Sequence, residues 1–183
     1  MAKHIKSFTL NKLHRGIEPF TLQFDDGLNV IVGENGSGKS SILQLMIEKH
    51  DKELAQTDYE QGANFKFLDT EKCNPRIKSY ISDLTLQYDV CSRFMSHGEA
   101  MLPLILAAKG FKDIVLIVDE PEAGISLKNQ KKIIDAFKKI ADKNACQIIV
   151  TTHSYVMIKN VSRVFCLDTK QWVSSEKYLE SLV

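Results

Sequence analysis

A lysine, two adjacent acids and a run of glycines are spaced in this chain as groups that hold a polyphosphate would be. Residues 33–40 read GENGSGKS and fit the pattern G-x-x-x-x-G-K-[S/T]. Backbone N–H groups can close around phosphate oxygens only where no Cβ intervenes and where φ may turn positive, the part assigned to Gly33, Gly36 and Gly38. Glu34, Asn35 and Ser37 complete the loop. Lys39 is expected to reach the β and γ phosphates, Ser40 to ligate Mg²⁺ and Ser41 to touch the α phosphate, with a helix N-terminus adding its dipole. The ligand implied is a nucleoside triphosphate with Mg²⁺.

The second element is IVLIVDE, residues 114–120, where a β-branched run delivers two acids at a strand's carboxyl end. Asp119 is placed to hold Mg²⁺ through its water shell, and Glu120 to polarise a water for attack on a γ phosphate. A solvated turn is the plain alternative for an Asp-Glu-Pro taken alone. Third, FMSHGEA sets Ser96 three residues before Glu99 ahead of an apolar run, which is a capping box. The same geometry, with Gly98, can sense a γ phosphate. Fourth, His153 follows the strand-like CQIIVTT and reads either as a structural histidine or as a γ-phosphate contact.

The elements that must position these groups follow from periodicity. Residues 4–10 and 20–25 read as an antiparallel beginning around the turn Arg15-Gly16, and Asp26-Gly27 separates FTLQF from LNVIV. Strand, glycine loop and helix SSILQLMIEKH come next, with Ile42, Leu43, Met46 and Ile47 at helical spacing. Residues 51–95 are irregular and are expected to form an inserted lid with a short strand NFKFL and a helix over 76–86. From Ser96 the pattern is helix, strand DIVLIVD, helix 127–141, strand CQIIVTT, short helix 155–160 and strand RVFCLD. Such alternation predicts an α/β fold with a mostly parallel sheet, helices on both faces and a small N-terminal antiparallel sheet, in one domain spanning 1–183.

In order and spacing, GENGSGKS, SHGE, IVLIVDEPE and TTHS resemble the Walker A, signature, Walker B and H-loop motifs of ABC-type P-loop ATPases. The resemblance covers most of the chain outside 51–90. It is closest to small bacterial ATPases carrying SHGE and DEPEA, related to the chromosome-maintenance (SMC-like) and recombination-repair ATPases. It implies ATP hydrolysis by a head-to-tail homodimer, with Glu120, His153 and Lys39 catalytic. Ser96, His97, Gly98 and Glu99 would form a signature whose Ser96 and Gly98 contact the γ phosphate held by the opposite subunit. His97 stands where transporters have glycine, and Ser126 where the family's D-loop has aspartate, which implies slow turnover and altered dimer contacts. The glutamine-loop position falls to Glu71, a candidate metal contact, or to Gln87. Arg15 could touch phosphate, as basic residues there do in recombination-repair relatives, or be an exposed hairpin arginine. The 56 residues between Lys39 and Ser96 leave no room for a long coiled-coil arm.

Composition sets the outer bounds. Lys plus Arg total 24 against 23 Asp plus Glu, so no global charge argues for nucleic acid or an anionic membrane. DNA or an effector protein remains open as a partner; the lysines of helix 127–141 read first as a solvated face. No apolar run reaches a bilayer span and the N-terminus lacks a signal-peptide core, so a cytoplasmic location without membrane insertion is expected. Cys73, Cys91, Cys146 and Cys166 lack CxxC spacing and read as free thiols. A nucleotide-gated module with negligible turnover and a transporter's nucleotide-binding subunit are the competing readings.

Overall fold

The computed structural model describes residues 4–47, 52–69 and 110–183. The chain enters as β1 (Ile5–Leu10), β2 (Phe20–Gln23) and β3 (Leu28–Val32), followed by α1 (Lys39–Ile47), β4 (Ala55–Tyr59) and β5 (Phe65–Asp69). After residue 110 come β6 (Val115–Asp119), α2 (Leu127–Asn144), β7 (Gln147–Thr151), α3 (Tyr155–Lys159), β8 (Arg163–Cys166), β9 (Gln171–Ser174) and α4 (Ser175–Glu180).

Six strands form one sheet in the order β5-β6-β7-β3-β8-β9, parallel except for the last pair. A strand in the middle of such a sheet is covered on both faces, which is why β3, β6 and β7 read as nearly unbroken apolar runs. Alternation sorts their side chains. Val30, Val32, Leu116, Val118, Ile148 and Val150 pack with Ile133, Ile134 and Phe137 of α2 and Met157 of α3. Ile31, Val115, Ile117 and Ile149 turn the other way, toward Ile42 and Leu43 of α1 and Phe8 and Leu22 of the smaller sheet. Each fully buried Ile or Leu of this kind contributes about 2 kcal/mol relative to exposure.

The smaller sheet is antiparallel, in the order β2-β1-β4. Between β1 and β2 the chain makes a two-residue hairpin: Arg15 (φ 49°) and Gly16 (φ 83°) are both left-handed, and His14 and Ile17 exchange backbone hydrogen bonds of 3.1 and 2.8 Å. Positive φ at both central positions gives the turn whose twist matches its strands. Gln147, wholly buried, ties the two sheets together: its amide accepts from Ile5 N and donates to Ile5 O and Asp25 O, each at 2.8 Å.

Within residues 51–95, expected to be an inserted lid, the expected strand NFKFL is present as β5 and a further strand, β4, precedes it. Residues 55–59 add β4 to the free edge of β1, and 65–69 add β5 in register beside β6. Strand β4, AQTDY, lies half in solvent with only Ala55 buried, so it carries none of the apolar alternation by which strands are read. The 76–86 helix and the helix from Ser96 lie outside the described residues. Two further elements, β9 and α4, close the other edge; Cys146 and Cys166 are free and buried.

Candidate functional site

Sheet register brings the separate motifs to one edge. Ile31 pairs with Thr151, and Thr151 pairs with Asp119, so the carboxyl ends of β3, β7 and β6 stand side by side, β3 running one residue further to Val32. Whatever follows each strand projects beyond the same rim: Gly33 onward from β3, Glu120 from β6, and Thr152 and His153 from β7. The carboxyl rim of a parallel sheet is where α/β proteins bind ligands.

The loop after β3 folds back into α1, which opens at Lys39. Its glycines are required for distinct reasons. A Cβ on Gly33 would meet Ser37 Oγ at 2.6 Å and Asp168 Oδ2 at 3.2 Å, so the loop is crowded by its own chain rather than by a ligand. Gly38 has φ 95° and also lies against Ile17, the last residue of the hairpin turn. Asp168 accepts the Glu34 N–H at 3.0 Å and so braces the start of the loop from beyond β8.

Lys39 is buried, and its ammonium donates to Gly33 O at 3.2 Å and Glu34 O at 3.0 Å. Burial pulls its pKa below the ordinary lysine value, against the opposing pull of Glu120, Asp168, Asp119 and Glu122. Asn35, Gly36, Gly38, Lys39, Ser40 and Ser41 form one wall of a cavity of about 340 Å³. Glu120 and His153 form the opposite wall, and Arg15 closes the side beneath the hairpin. The Arg15 guanidinium reaches to 3.5 Å from Ser41 Oγ. Arg15 is thus both an exposed turn residue and a lining residue, which the sequence posed as alternatives.

At the end of β6 the Thr151 hydroxyl donates to Asp119 Oδ1 at 2.5 Å and fixes that carboxylate's orientation. Glu120 takes φ 44°, a left-handed conformation that costs a non-glycine residue about 1 kcal/mol. The kink aims its N–H back at Thr151 O and Oγ1, both at 3.2 Å, and leaves its carboxylate 3.2 Å from His153 Nε2. The loop holding His153 is stapled to the turn after β6 twice. Glu122 Oε1 accepts the His153 N–H at 2.6 Å, and Gln130 accepts from Ser154 Oγ at 2.7 Å while donating to Ile125 O at 2.7 Å.

Thr151, Glu122, Gln130 and Asp168 were not singled out by sequence reasoning. Each acts on a motif from a distant stretch of chain; Thr151, which opens TTHS, and Glu122, which closes IVLIVDEPE, had a proximity signal, and Gln130 and Asp168 had none. Ser96, His97, Gly98, Glu99, Glu71 and Gln87 lie outside the described residues.

For Mg²⁺, the exposed Ser40 on the cavity wall and the braced Asp119 are the fitting side chains. Among the described residues no three His, Cys, Asp or Glu side chains converge on a metal position. A magnesium ion that keeps several waters and takes phosphate oxygens does not need such a cage.

A mostly parallel six-stranded sheet with a glycine loop after β3, acids after β6 and a histidine after β7, the strand between them, is the P-loop fold of ABC-type ATPases. Two family models match within the chain, an AAA domain over residues 3–47 and an AAA ATPase domain over residues 100–158. The zinc import ATP-binding protein ZnuC of Mannheimia succiniciproducens is 25% identical over 161 residues, covering 75% of this chain and 61% of that protein. The alignment thus spans about three fifths of that relative's length. The DNA replication and repair protein RecF of Shewanella piezotolerans is 55% identical over 42 residues, 21% of this chain and 12% of that protein. Among solved structures, an SMC head bound to the C-winged-helix domain of ScpA superposes with a TM-score of 0.65 at 15% identity, covering 96% of this chain and 99% of that one. Among the described residues no helix is long and apolar enough to cross a membrane.

Proposed function

We propose that this chain binds Mg·ATP in the 340 Å³ cavity and hydrolyses it within a nucleotide-dependent homodimer in the cytoplasm. The observation that carries the reading is the register row Ile31, Thr151, Asp119, which gathers the phosphate loop, Glu120 and His153 around one space. Lys39 would exchange the carbonyls of Gly33 and Glu34 for β and γ phosphate oxygens, a trade of neutral acceptors for charged ones. Arg15 would meet the phosphates from the hairpin side, with Ser41 beside it. Mg²⁺, held by Ser40 and through water by Asp119, would neutralise charge on the phosphates.

Glu120 would orient the attacking water. In the tautomer with its proton on Nε2, His153 donates to Glu120 and holds that carboxylate in place. Positioning and charge compensation supply most of the rate in phosphoryl transfer, and Lys39, Arg15, Glu120 and His153 would share that work with Mg²⁺. The signature segment Ser96–Glu99 of one subunit would cover the γ phosphate held by the other, making ATP the adhesive of the dimer and hydrolysis its release.

The output fits DNA maintenance, defence or control of an effector protein better than transport. The RecF and SMC-head likenesses support this, as does the cavity wall: among the described residues lining it there is no aromatic ring to stack on a base. The likeness to zinc-import ATP-binding proteins supports the second reading, a nucleotide-binding subunit working with a membrane partner.

Light scattering on the Glu120→Gln protein, with and without Mg·ATP, tests the proposal. A shift from monomer to dimer, together with a loss of turnover of about 100-fold or more, is expected. Wild-type turnover in this variant would remove Glu120 from the mechanism; ATP bound without any shift would remove the homodimer.

A further inference from the structure

The turn after β6 holds an acid that the reaction as described does not use. Pro121 is buried, Ala123 N donates to Glu120 O at 3.2 Å and Ile125 N to Glu122 O at 2.9 Å, so residues 120–125 form a tightly bonded turn that throws the Glu122 side chain back toward β7. There Oε1 accepts the backbone N–H of His153 at 2.6 Å. Oε2 is buried without a hydrogen-bond partner among the described residues. Burial raises the carboxyl's pKa, and the N–H groups of His153 and of Glu122 itself, with the nearby Thr152 hydroxyl, work against that rise. Packing alone does not account for a carboxyl in this position, since a buried polar atom left unpaired is costly and an apolar side chain would avoid the cost.

Glu122 does one thing that no shorter acid could do from the same turn. It bridges the two loops that carry the facing groups of the cavity, one bearing Glu120 and the other His153, whose side chains meet at 3.2 Å. The second bridge, Gln130 to Ser154, fixes the start of α3 but contacts the loop one residue beyond His153. The backbone of His153 itself is held by Glu122.

We propose that Glu122 is the positioning residue for His153: its carboxyl, by accepting the His153 backbone N–H, sets the separation at which the imidazole meets Glu120 and hence the placement of both against the γ phosphate. This rests on the hydrolytic reading above. What matters is reach and an acceptor oxygen, not charge.

Two substitutions separate those properties. Glu122→Gln keeps the length and the acceptor oxygen and discards the charge; Glu122→Asp keeps the charge and draws the carboxylate back by one methylene. Without nucleotide, the His153 ring resonances, followed by NMR, should change strongly in Glu122→Asp and little in Glu122→Gln. In ATP hydrolysis, Glu122→Asp should lower kcat by about tenfold with KM within about twofold, and Glu122→Gln should recover most of that loss. Added to His153→Ala, the Asp change should cost nothing further. Equal loss in the Gln and Asp variants, an unmoved His153 resonance in Glu122→Asp, or additive loss in the double variant would each overturn the proposal. If the wild-type protein proves to bind or hydrolyse no ATP, the functional reading fails while the resonance comparison still decides the role of Glu122.

Discussion

Strands β6 and β7 have two ends, and their polar groups are treated differently at each. At the amino end, buried Gln147 makes three bonds of 2.8 Å, Asn29 bonds to Asp25 on both its amide atoms, and Asn144 donates to Phe111 O at 2.8 Å. Ala145 there is left-handed, at φ 50°, because it ends α2 in the usual way. At the carboxyl end Lys39 is buried on weakly accepting carbonyls, Glu120 is left-handed with no helix to end, and Ser37 Oγ and Glu122 Oε2 are buried without partners among the described residues. One end is a finished joint between two sheets. The other gathers a buried ammonium, a left-handed acid and two unpartnered oxygens in and around the cavity, so the same sheet uses its polar groups for pairing at one end and leaves them underpaired at the other.

The largest effect expected from that contrast is at the finished joint. Gln147→Leu would take the side-chain partner from both Ile5 N and Ile5 O and leave Asp25 O with Asn29 as its donor, and should cost about 3 kcal/mol in denaturant unfolding while ATP affinity changes less than about twofold. A comparable loss of ATP affinity would show that the two ends are coupled. Next, Lys39→Met should lower ATP affinity by about 100-fold in calorimetry, yet leave the ligand-free protein no less stable. The pH dependence has a definite sign. With the folded pKa of Lys39 lowered from 10.5, the unfolded chain holds more protons between those two values, so wild-type stability should rise relative to Lys39→Met as pH climbs through that window. Flat behaviour across it would mean that burial imposes no penalty on this lysine. Smallest, Thr151→Val removes the hydroxyl on Asp119 and should raise the Mg²⁺ concentration needed for half-maximal ATP hydrolysis by about five- to tenfold, with thermal stability little changed.

Much of the open end was legible from the residues, because a phosphate loop is written in consecutive positions and β6 and β7 announce themselves as apolar runs closed by Asp119 and Thr151. Strands β3, β6, β7 and β8 were readable for the same reason, each being buried on at least one face, and β5 by its two partly buried phenylalanines. The joint was not readable. Gln147 looks like any polar residue at a strand start, and its partners at Ile5 and Asp25 are named only by three-dimensional register. Strand β4 escaped because an edge strand of Gln, Thr and Asp has no apolar face to betray it. Arg15 was seen as a hairpin residue, but that its turn lies over Gly38 depends on the packing of Ile17.

The central place of β3 also governs when the phosphate loop can exist at all. Its flanking strands are β7 and β8, whose registered residues Val150 and Phe165 are synthesised long after Val30 and Ile31. On the ribosome the GENGSGKS segment must therefore wait as unstructured chain, its glycines free, until most of the polypeptide has emerged and two late strands close in on either side. Such distant pairings make for slow folding. A nascent or truncated chain lacking β8 would leave Ile31 and Val32, the residues that lead into the loop, unpaired along that edge of β3.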